Sequence, residues 1–247
     1  MPGFLVYALV GFCAQLVDGT AGMAYGLSCR TFLRAVTGLP AGLVSAIVHW
    51  AEAPVTLASG ISHLSLGNVD RRLLVYLLLP GVVGGLCGAY WVVQIVSGME
   101  RLICWYLVLM GLVILWRALF PRHQGRRFPM AGVGPLALAG GFLDAAGGGG
   151  WGQVVATTLI AGGGDAKKII GSVNAAEAGV TLVQAIAFFA IVGEIRAYLP
   201  VIAGLVTGGL LAAPFAAWCC TRVPTKPLLV GVGLLITGYN VYELLIV

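Results

Sequence analysis

The sequence predicts an all-α integral membrane protein of about eight apolar helical segments in two related halves. Three observations carry this. Charged residues fill 9% of the 247 positions and hydrophobic residues 60%, whereas a soluble domain carries about 25% charged residues. The mean hydropathy is +0.99. An acidic, glycine-rich motif occurs twice, once in each half of the chain.

Charges delimit the segments. Residues 1–29 contain Asp18 alone, 35–69 contain Glu52, 128–164 contain Asp144, 169–193 contain Glu177 and 227–247 contain Glu243. Residues 73–99, 102–116 and 197–221 contain no charge. A transmembrane helix needs about 20 apolar residues, so eight leave no room for a separate soluble domain. The basic run Pro121–Arg127 at mid-chain reads as a linker. The expected division is a first membrane repeat at 1–120, a linker at 121–130 and a second repeat at 131–247.

The net charge of +5 does not mark a nucleic-acid binder, because Lys and Arg sit in short runs between apolar segments, as membrane topology requires. The expected partners are the lipid bilayer and a small anionic solute, and a homo-oligomer stays open. Cys13, Cys29, Cys87, Cys104, Cys219 and Cys220 form no CxxC pair, so they read as small packing residues and no metal site or cofactor is expected. The N-terminus lacks a basic n-region, so no cleavable signal is expected.

The repeat is specific. Gln15–Gly26 (QLVDGTAGMAYG) aligns with Gly141–Gly152 (GFLDAAGGGGWG). Asp18 matches Asp144, Gly22 matches Gly148, Trp151 answers Tyr25, and Gly26 matches Gly152, each 126 residues apart. His49–Thr56 then aligns with Asn174–Thr181 at an offset of 125, pairing Glu52 with Glu177. Gly84-Gly85 and Gly208-Gly209 continue it at 124.

Gly147, Gly148, Gly149 and Gly150 cannot sustain a helix cheaply, at about 1 kcal/mol each relative to Ala. Both motifs therefore read as breaks. A break inside a bilayer must be buried in protein or line a cavity, and half-helix N-termini there present N–H groups to an anion. All 14 Lys and Arg residues fall at segment edges or in loops, so the expected site for an anion has no cation. Its expected donors are backbone groups around Gly19, Gly22 and the second break, with Gln15, Thr20, Tyr25, His49, Trp151, Gln153, Ser172 and Asn174. An ionised Asp18 or Asp144 would repel an anion. These acids, with Glu52 and Glu177, are therefore expected to take up protons or a cation and couple transport to it. The bland reading is that they only cap half-helices. Glu243 reads as interfacial.

Orientation discriminates two layouts. If all eight segments cross, the 14 cations divide seven and seven. If each glycine-broken segment enters and returns, ten (Arg71, Arg72, Arg117, Arg122, Arg126, Arg127, Lys167, Lys168, Arg222, Lys226) face four (Arg30, Arg34, Arg101, Arg196). The positive-inside rule favours the second layout, with inverted halves and the linker in the cytoplasm.

The runs Gly11-Phe12…Gln15-Leu16-Val17-Asp18-Gly19…Gly22-Met23-Ala24-Tyr25-Gly26, Val48-His49-Trp50-Ala51-Glu52, Ser59-Gly60-Ile61-Ser62-His63…Gly67-Asn68-Val69-Asp70, Gly141-Phe142-Leu143-Asp144-Ala145…Gly147–Gly152 and Gly171-Ser172-Val173-Asn174-Ala175-Ala176-Glu177 resemble the TauE/SafE family of sulfite and organosulfonate exporters. The resemblance covers essentially the whole chain. It implies a secondary transporter of a small sulfur-containing anion in a prokaryotic plasma membrane. The first half departs from the pattern, with Gly19-Thr20-Ala21-Gly22 in place of the glycine run. No ATP-binding G-x-x-x-x-G-K-[ST] motif is present. The alternative function is a cation or proton path through the paired acids. No enzyme is expected, since repeat-related acids at glycine breaks suit alternating access better than one catalytic centre.

Overall fold

The computed structural model describes residues 3–94, 100–120, 128–192, 195–220, 222–224 and 226–246. The linker Pro121–Arg127 lies outside them. Ten α-helices follow in order: α1 Phe4–Ala21, α2 Tyr25–Thr37, α3 Ala41–Ser65, α4 Arg71–Gln94, α5 Glu100–Leu119, α6 Val133–Gly147, α7 Trp151–Ala161, α8 Ala166–Val192, α9 Leu199–Cys219 and α10 Lys226–Ile246. Among the described residues, seven helical stretches are long and apolar enough to cross a membrane. α3 is also long, at 25 residues, but carries His49, Glu52 and His63. Exposed side chains are apolar along the outside, as at Leu79, Leu211 and Leu245, while the buried set includes 22 polar or charged residues. That inside-out distribution is what a lipid solvent selects.

Both acidic motifs are breaks. α1 ends at Gly22 (φ 73°), whose N–H donates to the Asp18 carbonyl at 2.6 Å. α6 ends at Gly148 (φ 69°), and Gly149 N–H donates to the Asp144 carbonyl at 2.9 Å. Gly149 and Gly150 follow at φ 137° and 148°, which only glycine adopts without strain.

The helices on either side of each break lie antiparallel. Tyr7 of α1 meets Phe32 of α2 edge-on, with ring centroids 6.3 Å apart. Gly140 of α6 faces Val155 of α7, where a methyl group would come within 2.6 Å of Val155 Cγ2. Each glycine-broken segment therefore folds back on itself as a hairpin.

Long-range pairing follows small residues. α1 packs on α9 through Gly11, Gly204 and Gly208, and α6 on α4 through Gly84, Gly88 and Gly141, with backbone against backbone. Close approach of this kind is the usual basis of helix association in membranes. α3 pairs with α8 and α5 with α10. Exchanging the first five helices for the last five leaves this set of pairings unchanged. The α3–α8 pair is antiparallel: Thr56 Oγ1 lies 3.0 Å from Thr181 Oγ1, and Ser59 Oγ donates to Asn174 Oδ1 at 2.7 Å. Gly111 against Thr237 and Gly233 against Leu115 make α5–α10 antiparallel too.

These directions put the ends of α3, α5, α7 and α9 on one face with the starts of α4, α6, α8 and α10. Arg71, Arg72, Arg117, Lys167, Lys168, Arg222 and Lys226 belong to that face.

One expected correspondence slips by a helical turn. Gly209 packs on Val55, while the glycine that packs on Val180, the residue answering Val55, is Gly81 and not Gly85. The offset there is 128 (209 − 81) in place of 124. Glycines recur every three or four residues along α4, so sequence alignment cannot tell one turn from the next.

Candidate functional site

The two breaks meet at the buried centre. A methyl group on Gly26 would lie 2.9 Å from Gly149 Cα and 3.1 Å from the Gly148 carbonyl oxygen. A methyl group on Gly152 would run into the Gly22 carbonyl and lie 2.6 Å from Met23 Cα. Each half-helix thus starts against the other half's break, and the absence of side chains at Gly26 and Gly152 is what permits it. The starts of α2 and α7 both point their N–H groups into this region, as anion sites at helix N-termini do.

The acids converge there. Asp144 Oδ1 accepts the Trp151 N–H at 3.0 Å and so caps α7, while its Oδ2 has no partner. Asp18 faces the corresponding N–H of Tyr25, yet neither of its carboxylate oxygens makes a hydrogen bond of good geometry. His49 Nδ1 lies 3.3 Å from Glu52 Oε2, and the His49 ring stacks on Phe188 at 5.3 Å. One ligand atom each from His49, Glu52 and Asp144 fall within 4.8 Å of one another. Glu177, also buried, is in electrostatic reach of Asp18, Glu52 and Asp144.

The neutral donors divide into two sets. Gln15 has neither side-chain atom partnered, and the Tyr25 hydroxyl, Gln153 Nε2 and His49 Nε2 are also unpartnered, all fully buried. Such groups are costly unless a ligand or water completes them. The other set is engaged in the scaffold. Thr20 donates to the Leu16 carbonyl at 2.7 Å. Trp151 Nε1 donates to the Val173 carbonyl at 3.2 Å. Ser172 holds Asp70, accepting its N–H at 2.8 Å, and Asn174 joins α8 to α3 through Ser59. Gly19 lies against Ala216 of α9, and Gly147 against the Tyr106 ring.

One expectation is overturned. A cation does reach this depth: Arg30 is 1% exposed. Because α2 turns back from the break, a residue that looks like a segment edge in sequence is carried inward, one turn deeper than Arg34. Its Nη1 donates to Ser45 Oγ at 2.6 Å and its Nε has no partner. Gly148 supplies the room, since a methyl group there would run into Nη1 and lie 2.9 Å from Arg30 Cδ. Tyr106 closes the same side by donating to the Gly149 carbonyl at 2.9 Å. The hairpin itself was the only sequence signal for Arg30. Glu243, near the end of α10, is buried within the protein and paired with Arg34 at 2.5 Å.

A multi-helix bundle with two hairpins meeting at a buried polar centre is the layout of a membrane transporter. The chain belongs to the sulfite exporter TauE/SafE family, whose profile matches residues 7–242. It is 35% identical over 239 residues to the probable membrane transporter protein YtnM of Bacillus subtilis (strain 168), covering 94% of this chain and 79% of that protein. No solved structure matches significantly. The protein is a multi-pass membrane transporter and not an enzyme.

Proposed function

We propose that the protein is a secondary transporter that exports a small sulfur-containing anion, sulfite or an organosulfonate, across the prokaryotic plasma membrane. The observation that carries this reading is the meeting of the breaks, Gly26 on Gly149 and Gly152 on Gly22. Two half-helix N-termini and the unpartnered Gln15, Tyr25 and Gln153 then surround one central volume. The helix pairings support two inverted halves at 1–120 and 131–247, since equivalent helices that meet antiparallel fit a twofold axis in the membrane plane. The division of cations between the two faces supports a cytoplasmic linker.

Coupling follows from charge. Asp18, Glu52, Asp144 and Glu177 share one buried centre, where four ionised carboxylates would leave a large uncompensated charge. Loading them with protons or sodium lets an anion enter. The imidazole in the His49–Glu52–Asp144 cluster favours protons, because sodium, like other hard cations, prefers oxygen ligands. That cluster also supports the second reading, in which a cation taken up there is itself the cargo. Flux in proteoliposomes separates the two. Uptake of sulfite driven by a pH gradient supports anion transport. Sodium or proton flux without any anion requirement supports the second reading.

A further inference from the structure

Arg30 has no paired counter-charge among the described residues. Among the described residues its only hydrogen-bond partner is the Ser45 hydroxyl, and no carboxylate pairs with it. Glu243, which is in electrostatic reach of Arg30, is held directly by Arg34. A guanidinium presents five N–H donors in a rigid plane, and its Nε–H here is buried without an acceptor. A buried ion without a counter-charge is strongly unfavourable, so its retention calls for an anion that the chain itself does not supply. The guanidinium sits beside Gly148 at the second break and within electrostatic reach of His49 and Tyr106.

We infer that Arg30 is the counter-charge of the transported anion and that its planar fork selects an oxyanion over a spherical one. The inference rests on the anion-transport reading above. Two adjacent donors on the guanidinium edge match two oxygens of a sulfite or sulfonate group, which is the geometry in which arginine outperforms lysine. A halide offers one centre and gains nothing from the fork. The first half supplies this residue alone: the position 126 further on is Ala156. The site is therefore asymmetric, with the cation brought by the first hairpin to the glycine run of the second.

The test is anion binding by the purified full-length protein, measured by calorimetry and by thermal shift with sodium sulfite, taurine and sodium chloride. The wild-type protein is expected to bind sulfite or taurine and to be stabilised by it. Arg30→Gln should weaken that binding at least 100-fold while leaving the anion-free melting temperature unchanged or raised, because it removes an unpaired buried charge. A purely structural arginine would lower it. Arg30→Lys keeps the charge and loses the fork, so oxyanion binding should fall about 10-fold with chloride unaffected; this variant carries the test if Arg30→Gln does not fold. Unchanged sulfite affinity in either variant overturns the inference alone. A wild-type protein that binds none of the oxyanions overturns the transport reading, and the inference with it.

Discussion

Ala24 and Gly150 stand at the same place in the two breaks, each the residue before the returning half-helix, and each has a positive φ, 89° and 148°. Glycine takes such an angle freely, while alanine pays about 1 kcal/mol or more. Ala24 is the only non-glycine residue in this state among the described residues. Ala24→Gly should therefore stabilise the protein by about 1 kcal/mol. Gly150→Ala should do the reverse and more, because its methyl group would run into the Tyr106 hydroxyl. Melting temperatures in detergent check both, with Gly231→Ala as a control in open space.

Asp144 combines a cap with a free oxygen. Asparagine keeps the oxygen that accepts the Trp151 N–H, and alanine loses it. Asp144→Ala should cost about 1 kcal/mol of stability. Asp144→Asn should hold its melting temperature but remove the response of transport to a pH gradient, as should Asp18→Asn. Transport that keeps its pH and sodium dependence in both asparagine variants would show that the acids only shape the breaks.

His63 is placed as a latch. Its Nε2 donates to the Gly19 carbonyl at 3.1 Å, and its Nδ1 accepts from Asn68, which also donates to the Ala217 carbonyl at 3.3 Å. The ring joins α3 to α1 and α9 in one fixed neutral tautomer. His63→Ala should destabilise the fold by about 1–3 kcal/mol and leave anion affinity unchanged, as isothermal titration will show.

How much of this was legible in the sequence depends on the residue. Asp18, Asp144 and the glycines around them announce the breaks, because nothing in a plain membrane helix calls for an acid followed by clustered glycines, Gly19 and Gly22 in one half and Gly147–Gly150 in the other. The cation count favours a fold-back at each break, and it is independent of the contacts that join α1 to α2 and α6 to α7. Arg30 was not legible, since one-dimensional order places it at an edge and only the return of α2 carries it inward. Arg34 and Glu243 lie 209 residues apart, and no local pattern joins them. Ser172 and Asn174 read as neutral donors for an anion, but their side chains are taken up in joining α8 to Asp70 and to α3.

The Arg34–Glu243 pair ties α2 to α10, with the two side chains 12% and 7% exposed. Removing one partner of a buried pair costs about 3–5 kcal/mol. Glu243→Gln should therefore lower the melting temperature strongly, and the double change Arg34→Met with Glu243→Leu should recover most of the loss. A single change without effect would place the pair among weak surface contacts.

Sulfite flux into proteoliposomes, with an imposed pH gradient and then without it, tests the central claim most directly. The account predicts flux that the gradient drives, that Arg30→Gln abolishes and that Asp144→Asn uncouples from pH. Gradient-driven proton or sodium movement that needs no anion, with no sulfite flux at all, would contradict it.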